Sequence, residues 1–184
     1  MNCYMDNKPE RKNMRLSNPA LYDKGVFFLT FCTLNRACIL SEIECSENLE
    51  NSYIAKKYYV KLSHYGEIVD KYSNQLDDFY SDILVNSYII MPNHVHILLS
   101  VRTQSGPSGT PVPTIQNSTV SRFVSTLKRF CNKEIGGNIW QRGSYDHIVR
   151  NRDDYNEILK YIRQNPANWL RDNLYCSGGY GTFS

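Results

Sequence analysis

ILVNSYIIMPNHVHILLSV, Ile83 to Val101, decides the architecture. Two runs dense in β-branched and aliphatic residues, Ile83 to Met91 and His94 to Val101, are broken by Pro92-Asn93. Proline cannot donate to a sheet ladder, so Pro92 is expected at a bulge or bend between two strands. Side chains alternate along a strand, so His94, His96 and Leu98 share one face while Val95, Ile97 and Leu99 share the other. Two imidazoles at successive same-face positions can hold a divalent metal in cis, because the backbone fixes both before the metal arrives. The plainer reading is a pair of ordinary sheet-face histidines. Two of the chain's four histidines fall here, which shifts the balance towards a metal without choosing the chemistry.

Outward from this stretch, 184 residues fit one domain with a sizeable core. A composition of 41% hydrophobic and 21% charged residues is that of a globular chain and excludes a disordered one. The formal charge of +3 predicts no nucleic-acid partner by itself, so such a claim must rest on where the charge sits. No apolar run approaches the roughly 18 residues of a membrane span, and the polar stretch Met1 to Arg15 is unlike a signal peptide. The six cysteines form no C-x-x-C pair and show no zinc-finger spacing. A cytoplasmic protein with reduced thiols and no membrane partner is expected.

Val26 to Thr33, VFFLTFCT, reads as an internal strand. Leu62, Tyr65, Ile68, Val69 and Tyr72 recur at helical spacing and predict a helix from about Lys61 to Asn74. Cys45 to Tyr59 before it reads equally as a strand pair or a loop. Thr103 to Ser118, rich in Gly, Pro, Ser and Thr, reads as a mobile loop. Val120, Phe123, Val124, Leu127 and Phe130 outline a helix ending near Gly136-Gly137. After an extended stretch, Asp153 and Asp154 are expected to cap a last helix, Tyr155 to Gln164, with Pro166 terminating it from beyond its end. The tail from about residue 177 is expected to fray. The order predicts an α+β domain with helices on a mostly antiparallel sheet.

Met91-Pro92-Asn93-His94-Val95-His96 resembles the signature of the HUH transposases of the insertion-sequence-200-like family, and most nearly the REP-associated tyrosine transposase branch. Arg15-Leu16, Gly25 and Phe28 to Thr33 are similar to that family's first strand and its lead-in. Trp140-Gln141-Arg142, Tyr145 to Arg150 and Tyr161 to Pro166 are similar to its C-terminal blocks, in the same order and spacing over about residues 15–169. The resemblance implies a ferredoxin-like (RRM-like) antiparallel sheet with helices packed on one face. It also implies a single catalytic domain over residues 1–184 with a flexible basic N-terminal arm over about residues 1–20. The implied activity is metal-dependent cleavage and rejoining of single-stranded or hairpin DNA with Mg²⁺ or Mn²⁺, through a 5′-phosphotyrosine. Insertion-sequence relatives are dimers that can exchange tyrosine helices, whereas REP-associated ones need not be, so a homodimer stays open.

The chain has 14 tyrosines, so a nucleophile must be recognised by its company. Tyr161 lies four residues before Asn165, and residues four apart share a helix face, so one turn can offer a nucleophile and an oxygen ligand to the same centre. The family's matching tyrosine is its nucleophile, and a polar residue four positions later completes the metal site. Gln164 is the adjacent alternative to Asn165. The competing readings are a core tyrosine beside Ile158 and Ile162, and a helix C-cap for Asn165. Tyr155 and Tyr145 are weaker candidates, being followed four residues on by Leu159 and Val149.

Between Val120 and Arg152 the basic residues Arg122, Lys128, Arg129, Lys133, Arg142, Arg150 and Arg152 face only Glu134 and Asp146 as counter-charges. Arg122 and Arg129, seven apart with Lys128 beside them, form a helical stripe suited to phosphate contact. Arg15, Arg142, Arg150 and His147 are further candidates for contacting nucleic acid, although His147 is equally suited to a structural role. Trp140, Tyr145 and Phe123 are candidates to stack unpaired bases. Two alternatives stand beside the leading reading. One is a domesticated hairpin-binding protein without turnover. The other is a small-molecule metalloenzyme, which predicts a deep apolar pocket, a further strand ligand and no tyrosine facing the metal.

Overall fold

The computed structural model describes residues 24–46, 57–102 and 118–175. Arg15 and the rest of the N-terminal arm, nearly all of the expected loop over 103–118 and the tail from 177 lie outside the described residues. Among those described, no helix is long and apolar enough to cross a membrane.

Within the described residues six strands and three helices follow in the order β1 (Gly25–Cys32), β2 (Ser41–Ser46), β3 (Lys57–Leu62), α1 (His64–Phe79), β4 (Ile83–Ile90), β5 (His94–Val101), α2 (Thr119–Ile135), β6 (Tyr145–Val149) and α3 (Arg152–Asn168). The main sheet has the order β4-β5-β1-β6, antiparallel throughout, and β2 and β3 form a separate hairpin. Because β1 and β4 both run antiparallel to β5, α1 is a crossover between parallel strands. The same holds for α2 between β5 and β6. This is the ferredoxin-like β-α-β-β-α-β arrangement, with the hairpin inserted before α1.

Both crossovers obey the same handedness rule and therefore lie on one face. There Phe27, Leu29 and Phe31 of β1 and Val95, Ile97 and Leu99 of β5 pack against Ile68, Val69 and Leu76 of α1 and Val120, Phe123 and Leu127 of α2. Each such side chain withdrawn from water stabilises the fold by roughly 1.5–3 kcal/mol. The expectation of helices on one face holds for α1 and α2 and is corrected for α3. Ile158 and Ile162 of α3 bury Leu98 on the opposite face, against Val26, Phe28, Ile89 and Val149. The physical reason is that Leu98 of β5 with Val26 and Phe28 of β1 leaves an apolar patch on the other face, beside the histidines, and a second layer is needed to cover it.

Local chemistry sets the boundaries. Ser63 caps α1, its hydroxyl accepting from the Gly66 amide at 3.2 Å, so the helix starts at His64 and the preceding Lys57–Leu62 pairs with β2 instead. A Cβ at Gly66 would collide with the Leu40 carbonyl oxygen, which makes glycine necessary there. The chain reverses at Met91-Pro92-Asn93 with the Met91 amide bonded to the His94 carbonyl, whereas the sheet's register irregularity falls earlier, between Val85 and Ser87. For α3 the cap is Asn151, whose Oδ1 accepts from the Asp154 amide at 2.9 Å. Asp153 and Asp154 occupy the first turn, where the helix dipole favours them. Pro166 does not end this helix. It sits buried inside the last turn, and the chain runs on through Asn168 into a 3-10 turn, Trp169–Arg171. Its missing N–H costs one bond, while buried Trp169 anchors the continuation.

Candidate active site

Register places the candidate residues in one row. His96 lies opposite Thr30, and Thr30 lies opposite Tyr145, so β5, β1 and β6 present all three on the face that α3 covers only in part. His94 stands one step along β5 towards the Pro92 turn. Both histidines are buried, and their Nε2 atoms lie 3.0 Å apart. Two nitrogens bound at right angles to one ion at ~2.1 Å would stand about 3 Å apart, so this spacing fits cis ligation. Their outer nitrogens are engaged, His94 Nδ1 with Asn93 Oδ1 at 2.8 Å and His96 Nδ1 with Thr30 Oγ1 at 2.7 Å. Phe28 stacks on His96, and Trp169 lies against His94, with ring centroids 5.0 and 5.9 Å apart.

Burial, reinforced by Arg36, pushes His94 down to about 3; burial, reinforced by His94, pushes His96 to about 3 against the opposing pull of Asp172. Both rings are therefore neutral near pH 7, the form that donates a lone pair to a metal.

Helix α3 brings Tyr161 to this pair. Its hydroxyl is 3.3 Å from His96 Nε2, and its ring is 43% exposed at the cleft instead of packed in the core. Ile158 and Ile162, the neighbours of the core-tyrosine reading, face the sheet. Burial, then Asp172, raises the Tyr161 pKa above its ordinary value, so the phenol needs help to ionise. Asn165, one turn on, is buried with its Oδ1 lacking any hydrogen-bond partner among the described residues, and its Nδ2 reaches Asp172 Oδ2 at 3.4 Å. A buried amide oxygen without a partner is costly unless a cation satisfies it. Gln164 is exposed.

Asp172 is the residue that sequence reasoning missed. His94, His96 and Asp172 offer ligand atoms all within 4.8 Å of one another. The Asp172 carboxylate also accepts from the Tyr161 hydroxyl at 3.4 Å, and its other oxygen takes the Leu174 amide at 2.7 Å. Two imidazoles, a carboxylate and an amide oxygen form a donor set that suits a divalent ion. A cleft of about 430 Å³ opens beside this group, lined by Phe28, Thr30, His96, Tyr145, Tyr161 and Arg171 among others.

The remaining candidates are scattered. Tyr145 is exposed in the cleft, whereas Trp140 and Phe123 are buried. His147 pairs with Asp154 at 3.0 Å and braces the start of α3 against β6. The Arg150 amide, then His147, hold the Asp154 carboxyl below the usual carboxylate range. Lys128 donates to the carbonyls of Gln141 and Gly143, fastening the loop before β6. Arg142 and Arg150 are exposed at the two ends of that strand. Arg122 and Arg129 are exposed on α2, whose apolar side packs on the opposite face of the sheet, so they are not brought to the cleft.

Residues 63–165, more than half of the chain and including both histidines, Tyr161 and Asn165, match the model of the family described as IS200-like transposases. The chain belongs to the IS200-like transposase family. Among similar proteins, this transposase-family chain is 27% identical over 180 residues to a Haemophilus influenzae protein, covering 90% of this chain and 93% of the other. It is 27% identical over 89 residues to the REP-associated tyrosine transposase of Escherichia coli K12, 47% of each chain. A solved REP-associated tyrosine transposase, bound to a REP hairpin, shares the fold at a TM-score of 0.50 and 18% identity, covering 87% of this chain and 89% of that one.

Proposed function

We propose that this chain cuts and rejoins single-stranded DNA beside a hairpin, with Tyr161 as nucleophile and His94, His96 and Asn165 as metal ligands, joined by the Asp172 carboxylate. The observation that carries this reading is the Tyr161 hydroxyl standing 3.3 Å from His96 Nε2, beside the partnerless Asn165 Oδ1. A small-molecule metalloenzyme would have no reason to aim an exposed tyrosine at its metal. The family membership and the hairpin-bound relative support the substrate class.

A bound Mg²⁺ or Mn²⁺ would supply Lewis-acid neutralisation of a non-bridging phosphate oxygen. The chain's own groups do the rest. The Tyr161 oxygen attacks phosphorus as its proton passes to Asp172, the carboxylate in reach. The bond from phosphorus to the 3′-oxygen breaks, and that oxygen takes a proton from solvent to become a free 3′-hydroxyl. The tyrosine keeps the 5′-phosphate, so the phosphoester is conserved and the strand can be resealed without ATP. Phe28 and Thr30 wall the cleft, Tyr145 offers a stacking surface for an unpaired base, and Arg171 lines it as a cation, with Arg142 and Arg150 exposed at the ends of β6. Tyr161 reaches His96 of its own chain, which supports a site assembled without helix exchange.

The test incubates the protein with labelled hairpin DNA carrying a single-stranded flank, with Mg²⁺ or Mn²⁺. Cleavage and a denaturation-resistant protein–DNA adduct are expected. Tyr161→Phe should lose the adduct and keep DNA binding. Binding without cleavage by the unaltered protein, across both metals, would point to the domesticated hairpin binder instead.

A further inference from the structure

Helix α3 is tied to the sheet in its first turn, and the two ties reach opposite edges. The Asp154 carboxylate accepts from His147 Nε2 of β6 through both oxygens, at 3.0 and 3.2 Å, and one of them also takes the Arg150 amide at 2.9 Å. The next residue turns the other way. The Tyr155 hydroxyl accepts from Asn86 Nδ2 of β4 at 3.2 Å, and Asn86 Oδ1 takes the Ser100 hydroxyl of β5 at 2.9 Å. Strands β6 and β4 are the two edges of the main sheet. Between these ties Ile158 and Ile162 rest on Leu98. Apolar burial is non-directional, so that contact fixes the depth of the helix and not its roll about its own axis.

The roll decides where Tyr161 points. Seven residues are nearly two turns, so Tyr161 stands within about 20° of Asp154 around the axis, on the flank that faces β6. The cleft opens on that flank, with Tyr145 of β6 on its wall. His147 lies opposite Phe28 in the β1–β6 register, and Phe28 meets the Tyr161 ring edge-on with centroids 6.0 Å apart. Polar contacts further along the helix are longer, 3.4 Å from Asp172 Oδ2 to both Tyr161 and Asn165. The directional constraint therefore sits in the first turn.

We infer that His147 is a positioning residue for the nucleophile, whose bond to Asp154 sets the roll of α3 and so holds the Tyr161 ring beside Phe28. This rests on the reading of Tyr161 as nucleophile, and it assigns His147 to the helix and not to the nucleic acid. A group at the surface of a helix lies ~5–6 Å from the axis, so a roll of about 10° displaces it by about 1 Å. Misplacement of that size near reacting atoms costs up to about a hundredfold in rate. A single bond at the start of the helix is thus enough to matter two turns later.

Fluorotyrosine placed at position 161 of the full chain, followed by ¹⁹F NMR without metal or DNA, reads this placement independently of activity. The neighbouring rings should displace the resonance of the otherwise unaltered protein from its value in the unfolded chain. His147→Ala and Asp154→Ala should move it back towards that value, whereas His147→Gln, which keeps an N–H donor, should retain it. Asn86→Ala, on the other flank, should move it less. An undisplaced starting resonance, no movement in the two alanine variants, or equal movement in Asn86→Ala would overturn the proposal. With saturating hairpin DNA and Mn²⁺, His147→Ala should slow adduct formation about ten- to a hundredfold and leave DNA affinity unchanged. Lost affinity with an unchanged rate at saturation would make His147 a DNA contact and overturn its positioning role. If the unaltered chain forms no adduct, the cleavage reading fails, and the fluorine shifts still decide what His147 does.

Discussion

On the face covered by α1 and α2, strand β5 contributes Val95, Ile97 and Leu99, all fully buried among apolar neighbours. On the opposite face the same strand contributes His94 and His96, buried to nearly the same degree but beside Thr30, Asn93 and Asn165. Equal burial thus has opposite consequences. Withdrawal from water stabilises the first set, whereas it denies the second set its hydration and holds both imidazoles in the neutral, ligating form. The rigid apolar face is what allows a polar, incompletely satisfied row to be held in place behind it.

Substitutions on the two sides of β5 should separate stability from metal binding. Leu99→Ala should cost about 2–5 kcal/mol in urea unfolding, because it opens a cavity in the packed layer. His96→Leu should change stability by less than ~1 kcal/mol, since it replaces a desolvated imidazole with an apolar group, yet it should abolish the response to metal. Comparable destabilisation by both would erase the distinction between the faces.

Metal should act on one face only. At about a hundred times its Kd, Mn²⁺ should stabilise the wild-type chain by about 2.7 kcal/mol in the same unfolding experiment. Leu99→Ala should gain a similar increment despite its lower baseline, and His94→Ala should gain none. An equal gain in His94→Ala would place the ion elsewhere.

The smallest effect concerns the rim of the apolar face, where Tyr88 donates to Asp70 of α1 at 2.6 Å. Burial, then Asp70, pushes the Tyr88 phenol up to about 12 from its ordinary 10.0. The folded state binds this proton more tightly, so the contribution is complete below pH 10 and is lost as pH rises towards 12. Tyr88→Phe should flatten that part of the alkaline unfolding profile, and an unchanged profile would assign it to another group.

Much of this organisation is legible in the strand code. The alternation in His94 to Val101 gives both faces of β5, and Val26 to Thr33 gives the strand beside it to within a residue. The hairpin was ambiguous because Lys57-Tyr58-Tyr59-Val60-Lys61-Leu62 has weak alternation, and its exposure removes the usual burial pattern. The Arg122–Arg129 stripe was readable as a stripe, but which side of the sheet it occupies depends on crossover handedness, a property of the fold. Asp172 was illegible for a related reason. It lies beyond a proline expected to end the helix, and no local spacing connects it to a histidine pair some eighty residues earlier. Asn165 was legible through its spacing from Tyr161, although its partnerless oxygen was not.

If the proposed chemistry holds, Tyr161 becomes covalently joined to DNA. Mass spectrometry of the protease-digested adduct, formed on hairpin DNA with Mn²⁺, identifies the attacking residue. A nucleotide linked through its 5′-phosphate to the peptide containing Tyr161 is expected. Linkage to the Tyr145 or Tyr155 peptide, with Tyr161 unmodified, would contradict it.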